Sequence, residues 1–200
     1  MMSKIIITTS RRPTPVVRRF IKHLVPIIPN ARYQRRGKLT LSLLILQAID
    51  FNVDKVIVVR NRKGNPGYLD TYLVDPINKT LIKLCTLYIC SFSIRKTQPK
   101  INPKLKPNQL LILSSALALI DNEKVAECLL RSFNIKVCDE VPEINLKSLQ
   151  MPILIDVRKY FKEKHPITIP LYEIIFKNFK NEIVGPVIRI CKAKIYTKAV

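Results

Sequence analysis

The side chains best suited to chemistry in this chain are cations, and they are concentrated in its first third. The 200 residues include 35 Lys or Arg and 14 Asp or Glu, so the formal net charge is +21. Residues 1–63 hold 14 of the cations and only two acids, Asp50 and Asp54, a local net charge of +12. Such an excess is typical of proteins that bind a polyanion, with nucleic acid favoured over an anionic membrane surface.

Arginine dominates the densest part of this region, although the whole chain is richer in Lys. Guanidinium groups match phosphate oxygens and stack on bases, which favours contacts with nucleic acid. Backbone N–H groups at a helix start at Pro15 could hold one more phosphate. Tyr33 could stack on an unpaired base or pack at the rim of the core, and both roles stay open. The candidate RNA-binding residues are Arg11, Arg12, Arg18, Arg19, Lys22, Arg32, Tyr33, Arg35, Arg36, Lys38, Arg62 and Lys63.

The sequence assembles no catalytic set. The chain contains no phosphate-binding loop and no dinucleotide fingerprint, and its carboxylates are scattered. Two His and five Cys without a C-x-x-C pair do not predict a metal site. We therefore expect no enzyme, no cofactor, no metal and no small-molecule substrate. An RNA-processing enzyme that depends on His23 or His165 is the remaining catalytic alternative.

The cysteines indicate a reducing compartment, which agrees with a cytoplasmic protein. Their odd count and apolar neighbours predict buried free thiols. Disulfides are the alternative if the protein comes from a hyperthermophile, because such organisms form them inside the cell. The residues concerned are Cys85, Cys90, Cys128, Cys138 and Cys191. The longest uncharged run, Pro107–Ile120, is shorter than the roughly 20 residues of a membrane span, so no membrane partner is expected.

Hydrophobic periodicity predicts the elements that position the basic residues. An apolar strand over Lys4–Thr8 leads to a helix that starts at Thr14-Pro15 and buries Val17, Phe20, Ile21 and Leu24. A basic loop follows over residues 30–38. Residues Leu39–Phe51 are apolar on nearly every side and predict a buried helix. The other predicted strands are Asp54–Arg60, Tyr68–Val74, Thr80–Phe92, Gln109–Ser114, Ile153–Val157, Ile167–Phe176 and Val187–Tyr196. A further helix is predicted from Asp121 or Asn122 to Phe133, and a loop over Pro142–Leu149.

A Pro- and Lys-rich stretch divides the chain into two similar halves. Residues 95–108 contain three prolines and cannot hold a helix or a central strand. They form the predicted linker between an N-terminal half, residues 1–94, and a C-terminal half, residues 109–200. Each half begins with a strand, continues into a helix and ends in several strands, which suggests a structural duplication.

Landmarks along nearly the whole chain resemble the Brix domain family. The Lys63-Gly64-x-Pro66 turn is similar to one family landmark, and Gly185-Pro186 before a basic, apolar strand is similar to the closing one. The opening block is Ile5–Ser10, Arg11, Pro13-Thr14, Arg18, Phe20, Lys22, Leu24, Pro29-Asn30-Ala31 and Arg36-Gly37. Two features depart from the pattern, an extra Arg12 and the Asp75-Pro76 pair where many eukaryotic members carry a Gly-Pro-Thr segment.

The resemblance implies a single domain over residues 1–200, of the minimal archaeal type. It implies an α/β fold of two similar halves, each a mixed sheet with helices, akin to the anticodon-binding domain of class II aminoacyl-tRNA synthetases. It also implies a ribosome biogenesis factor that binds ribosomal RNA or its precursor, with ribosomal or assembly proteins as further partners. The alternative is a protein-interaction module within RNA–protein complexes that makes no RNA contact itself.

Overall fold

A single mixed sheet forms the framework of the protein. The computed structural model describes residues 4–95, 107–141, 151–164 and 167–196, with backbone only for residues 162–164 and 167–170. Its strands are β1 (Ile5–Thr9), β2 (Ala31–Tyr33), β3 (Lys55–Arg62), β4 (Asn65–Asp75), β5 (Thr80–Ser93), β6 (Pro107–Leu113), β7 (Ile135–Cys138), β8 (Met151–Lys164), β9 (Ile167–Lys177) and β10 (Val187–Ile195). Its helices are α1 (Pro15–Leu24), α2 (Leu41–Asp50), α3 (Ser114–Ala118) and α4 (Glu123–Phe133), and a short 3-10 turn (Val25–Ile27) follows α1.

The two halves of the sheet arrange their strands equivalently: from the edge inward, each half places its second strand along the chain first, then its first, third, fourth and fifth. The order is β2-β1-β3-β4-β5-β10-β9-β8-β6-β7. Near one edge β1 is parallel to β2 and β3, and near the other β6 is parallel to β7 and β8. The central pairings are antiparallel, including the β5–β10 pair that joins the two halves. The predicted α/β class is confirmed, with both halves in one continuous sheet.

Helix α1 forms where its sequence predicts. The side-chain oxygen of Thr14 accepts a hydrogen bond from the Val17 backbone N–H at 3.3 Å, and Pro15 takes the first helical position. The four predicted apolar residues of its stripe are all buried. Burial of each such side chain contributes about 1.5–3 kcal/mol, so this stripe holds α1 against the sheet.

Helix α2 differs from its prediction. It buries only Leu44, Ile45 and Ala48, whereas Leu43 and Leu46 are 49% and 45% exposed. The prediction of burial on nearly every side is wrong because α2 covers one end of the sheet and faces a single layer. Its cluster also includes Ile6, Val56, Val58 and Val74.

The main core lies on the opposite face of the sheet. Residues of α1 and α4 share this cluster with alternate residues of the strands, from Ile5 and Ile7 in β1 to Ile188 and Ile190 in β10. The two halves therefore share one core.

Three short elements, β2, β7 and α3, and the full length of β8 differ from the sequence prediction. The predicted basic loop contains β2, whose three residues gain their strand conformation by pairing with β1, as in Ile5 opposite Ala31. Strand β7 and helix α3 were not predicted, and β8 is longer than the predicted Ile153–Val157 because it pairs with β9 along most of its length. Pro107 begins β6 rather than ending a linker, and a first strand position needs no proline N–H.

Residues 96–106 of the predicted linker and the predicted loop over Pro142–Leu149 lie outside the described residues. The division into residues 1–94, 95–108 and 109–200 stays a prediction. Within the described ranges, no helix has the length and apolarity needed to cross a membrane.

Four cysteines form two disulfides, so the prediction of free thiols is wrong for them. Cys85 of β5 is bonded to Cys128 of α4, and Cys90 of β5 to Cys191 of β10. The Cα atoms of the pairs are 5.8 Å and 5.9 Å apart, within the usual range for a disulfide. Only Cys138 is a free thiol. Pairing across the fold could not be read from spacings of 43 and 101 residues.

Candidate nucleic-acid interface

The carboxyl ends of three parallel strands bring separate basic segments to one edge of the sheet. The backbone N–H of Ser10, just after β1, donates to the Val59 carbonyl in β3 at 3.1 Å. The N–H of Gln34, just after β2, donates to the Ile7 carbonyl at 3.0 Å. The Thr14 hydroxyl donates to the Gly64 carbonyl in the β3–β4 turn at 2.6 Å. These bonds hold three loops side by side.

Six predicted RNA contacts lie in these loops or, for Arg62, at the end of the adjoining strand β3, and we call the six the basic edge. All six are exposed. Among the described residues, no carboxylate forms an ion pair with any of them, so their charge is directed to solvent. The residues of the basic edge are Arg11, Arg12, Arg35, Lys38, Arg62 and Lys63.

Arg36 lies between Arg35 and Lys38 in the loop after β2, but its side chain is buried. It is only 5% exposed, and its Nε donates to the Leu39 carbonyl at 2.9 Å. Burial, together with the positive charge of Arg11, lowers the pKa of Arg36 below its ordinary value. The neighbouring Arg11 charge indicates that the loops after β1 and β2 approach each other. Of the twelve predicted contacts, Arg36 is the one that the structure buries.

The cations of α1 continue the positive surface from the basic edge. Arg18 and Arg19 are exposed about one turn from the helix start, and the first turn contains no acidic residue. The positive end of the helix dipole therefore points toward the basic edge without a neutralising carboxylate. Lys22 is exposed near the other end, about 10 Å along the axis from Pro15.

Arg32 and Tyr33 lie in β2 rather than in the loops of the basic edge, and they face opposite sides of the sheet because neighbouring strand residues do so. Arg32 is directed to the α2 side, where its guanidinium carbon lies 4.3 Å from the centre of the Phe51 ring. Tyr33 is half-buried and packs against the main core. Of the two roles left open for Tyr33, the observed packing corresponds to the rim of the core.

A second group of polar and aromatic residues was missed by the sequence analysis. On the α2 side of the sheet, Asp70 is 1% exposed and bonds to Arg60, Lys83 and Thr86. Burial alone would raise the Asp70 pKa, but hydrogen bonds from these three residues outweigh it and hold the pKa below its ordinary value. The period-two order Tyr68, Asp70, Tyr72 was the available signal.

The described ranges contain no group of three or more His, Cys, Asp or Glu placed to hold a metal ion.

Comparison with known proteins places the chain among archaeal relatives. A search of family models gives no match. Over 68 residues the chain is 43% identical to a probable Brix domain-containing ribosomal biogenesis protein of Aeropyrum pernix, covering 34% of this chain and 38% of the relative. The resemblance to the Brix family is confirmed. A Brix protein of the same description from Thermococcus kodakarensis is 38% identical over 71 residues, 36% of this chain and 34% of the relative. The alignments thus span little more than a third of these relatives.

Solved structures extend the similarity of fold over nearly the whole chain. The crystal structure of a probable ribosomal biogenesis protein from Aeropyrum pernix matches with a TM-score of 0.69 and 24% identity, covering 96% of this chain and 97% of that one. An archaeal Imp4-like protein matches with a TM-score of 0.61 and 16% identity, covering 96% and 99%. Both solved structures share the fold of this chain.

Proposed function

We propose that the chain is a non-catalytic ribosome biogenesis factor that binds ribosomal RNA or its precursor and assists its processing or assembly in the cytoplasm. The observation that carries this proposal is the basic edge, where six exposed cations from three loops meet without a described carboxylate to neutralise them. The names of the archaeal relatives supply the process. Ribosomal or assembly proteins are further proposed partners.

The proposal extends to the organisation of the fold. Residues 1–200 are proposed to act as one Brix-like domain of two equivalent halves. The mirrored strand order supports this proposal. The similarity to the anticodon-binding domain of class II aminoacyl-tRNA synthetases is proposed on the sequence resemblance alone.

RNA crosslinking in native cells, with sequencing of the bound RNA and mapping of the crosslinked peptides, tests the target. We expect the sequences to be concentrated in precursor ribosomal RNA, with crosslinks in the loops of the basic edge. Sequences spread over transfer or messenger RNA would contradict the proposed role.

Charge reversal tests the basic edge in purified protein. Substitution of Arg11, Arg12 and Arg35 by Glu is expected to weaken RNA binding strongly, because each reversal removes a phosphate contact and adds repulsion. If about six cations contact single-stranded phosphates, the wild-type slope of log K against log salt is about −4, and it becomes shallower in the variant. The matched control reverses three exposed lysines of the second half, Lys124, Lys136 and Lys180. Equal losses in both variants would contradict a localised site.

The exposed side of α2 favours the second candidate, a protein-interaction module. Leu41, Leu43, Leu46 and the following Phe51 are each 41–49% exposed, and grouped apolar surface often marks a protein interface. This candidate predicts that purified protein fails to bind protein-free RNA. Substitution of the exposed Leu43 and Leu46 by Ser would then release partner proteins.

A further inference from the structure

Four tyrosines form an aromatic strip across the centre of the sheet, on the face opposite the main core. Strand register places Tyr68 opposite Tyr88, and their ring centres are 5.3 Å apart in an edge-to-face contact. Tyr72 lies four residues beyond Tyr68 in β4, on the same face of the strand and at the border of the α2 cluster. Tyr196 directly follows β10 and is 44% exposed. We call these four residues the tyrosine strip.

Each ring of the tyrosine strip has a cation beside it. The Arg60 guanidinium carbon lies 4.4 Å from the Tyr68 ring centre, and the Lys192 Nζ lies 5.8 Å from that of Tyr88. Lys83 is 5.8 Å from Tyr72 and 4.5 Å from Tyr196, and Lys194 is 4.8 Å from Tyr196. Lys192 and Lys194 are exposed, because they alternate with the buried Ala193. Positive charge therefore accompanies the rings across three neighbouring strands.

The buried carboxylate of Asp70 fixes this arrangement. It receives Arg60 through both oxygens, Lys83 at 3.0 Å and the Thr86 hydroxyl at 2.6 Å. Because Asp70 is almost fully buried, it orients the two cations without presenting negative charge to solvent. The surface that remains is cationic and aromatic.

We propose that the tyrosine strip is a second RNA-binding surface, which stacks unpaired bases of a single-stranded segment while Lys192 and Lys194 contact its phosphates. The inference rests on the proposed function, since it supposes that the chain binds RNA. Aromatic side chains on an open sheet face are suited to this task, because every base offers a flat ring and the flanking cations attract the backbone.

Charge complementarity favours single-stranded RNA over the other occupants of such a surface. Four cations surround one buried carboxylate here, so an acidic phosphate backbone is attracted along the strip. A duplex keeps its bases paired and stacked, so it offers these rings no free base face. The tyrosine strip therefore distinguishes single strands, whereas the basic edge can contact the phosphates of either form.

The test compares two double variants of the full chain. Replacing Tyr88 and Tyr196 by Leu keeps apolar bulk but removes the aromatic faces, and replacing both by Phe keeps the faces and removes the hydroxyls. The probes are oligouridine of about ten nucleotides and a duplex RNA of the same length. We expect the Leu variant to bind oligouridine at least about tenfold more weakly and the duplex unchanged, because stacking acts on unpaired bases. The Phe variant should match wild type with both probes.

Ultraviolet crosslinking of wild-type protein to oligouridine gives a readout that does not depend on folding of a variant. Crosslinks on Tyr88 or Tyr196 are expected. If wild type binds RNA but the Leu variant binds oligouridine equally well, or crosslinks are confined to the basic edge, the tyrosine strip is not a binding surface and the proposed function stands. If wild type binds neither probe, the proposed function itself fails.

Discussion

Asp70 shows how one buried carboxylate organises a cationic surface. Removing one partner of a buried ion pair leaves the opposite charge uncompensated, and this typically lowers the free energy of unfolding by about 3–5 kcal/mol. Because Arg60 and Lys83 are partly exposed, we expect Asp70→Asn to lower the free energy of unfolding by about 3 kcal/mol, at the lower end of that range. Urea denaturation measures the change.

The exposed Asp75 provides the control for this substitution. Its carboxylate accepts hydrogen bonds from the Ile77 and Asn78 N–H groups, and an Asn side chain could accept them equally. Asp75→Asn should therefore change stability little. An equal loss in both variants would show that the Asp70 cluster has no special role.

The pH dependence of stability follows from the direction of the Asp70 shift. Its pKa is lower in the folded protein than in the unfolded chain. The stabilisation is therefore fully present above the unfolded value, about 4, and is lost as the pH falls through the folded value. The stability gap between wild type and Asp70→Asn should narrow below about pH 4. A gap that stays constant there would contradict the account.

Individual residues were predictable from sequence only where their role is local. The Thr14 cap and the α1 stripe depend on spacings of three or four residues, so the sequence is sufficient for them. The burial of Arg36 was not predictable in this way, because it depends on how the loop after β2 folds onto its own backbone.

At the scale of elements, the start of β4, just after the β3–β4 turn, requires a residue without a side chain. A Cβ atom added to Gly67 would lie 2.3 Å from the Arg62 Cβ. We expect Gly67→Ala to destabilise the protein by about 1–3 kcal/mol and to displace the turn that carries Lys63. Thermal denaturation and the salt slope of RNA binding would both report it.

Gly37 is the matched control, since an added Cβ there meets nothing within 4 Å and only its positive φ of 49° opposes a side chain. Gly37→Ala should cost about 1 kcal/mol. A Gly67 variant no less stable than this control would contradict the close approach.

Elements were predictable when their pattern is continuous and missed when pairing decides them. The regular alternation of a strand is interrupted in β10 by register shifts around Ile190, so Ile188, Ile190 and Ala193 reach the core while Lys192 and Lys194 do not. A bulge depends on the partner strand, which the sequence of β10 alone does not contain. The same limit explains β2, whose strand conformation comes from β1.

For the whole molecule, both disulfides join the first half to the second. In the chain-entropy model, links that close loops of this length stabilise by about 4 kcal/mol each, although two links between the same halves do not add fully. We expect reduction with dithiothreitol to lower Tm by about 10 °C or more. Calorimetry with and without the reductant checks this value.

Cys138 supplies the control, because it is unpaired in the structure. Cys138→Ser should keep the same Tm difference between oxidised and reduced protein. If reduction leaves Tm unchanged, the two links contribute nothing beyond the shared core.

The edges of the sheet have a consequence for how the protein behaves in concentrated solution. Strands β2 and β7, at the two ends of the order, contain only three and four residues. Each carries an exposed cation at mid-strand, Arg32 or Lys136. A second copy that tried to extend the sheet would gain few backbone hydrogen bonds and would bring like charges together, so the short edges protect a large sheet from aggregation.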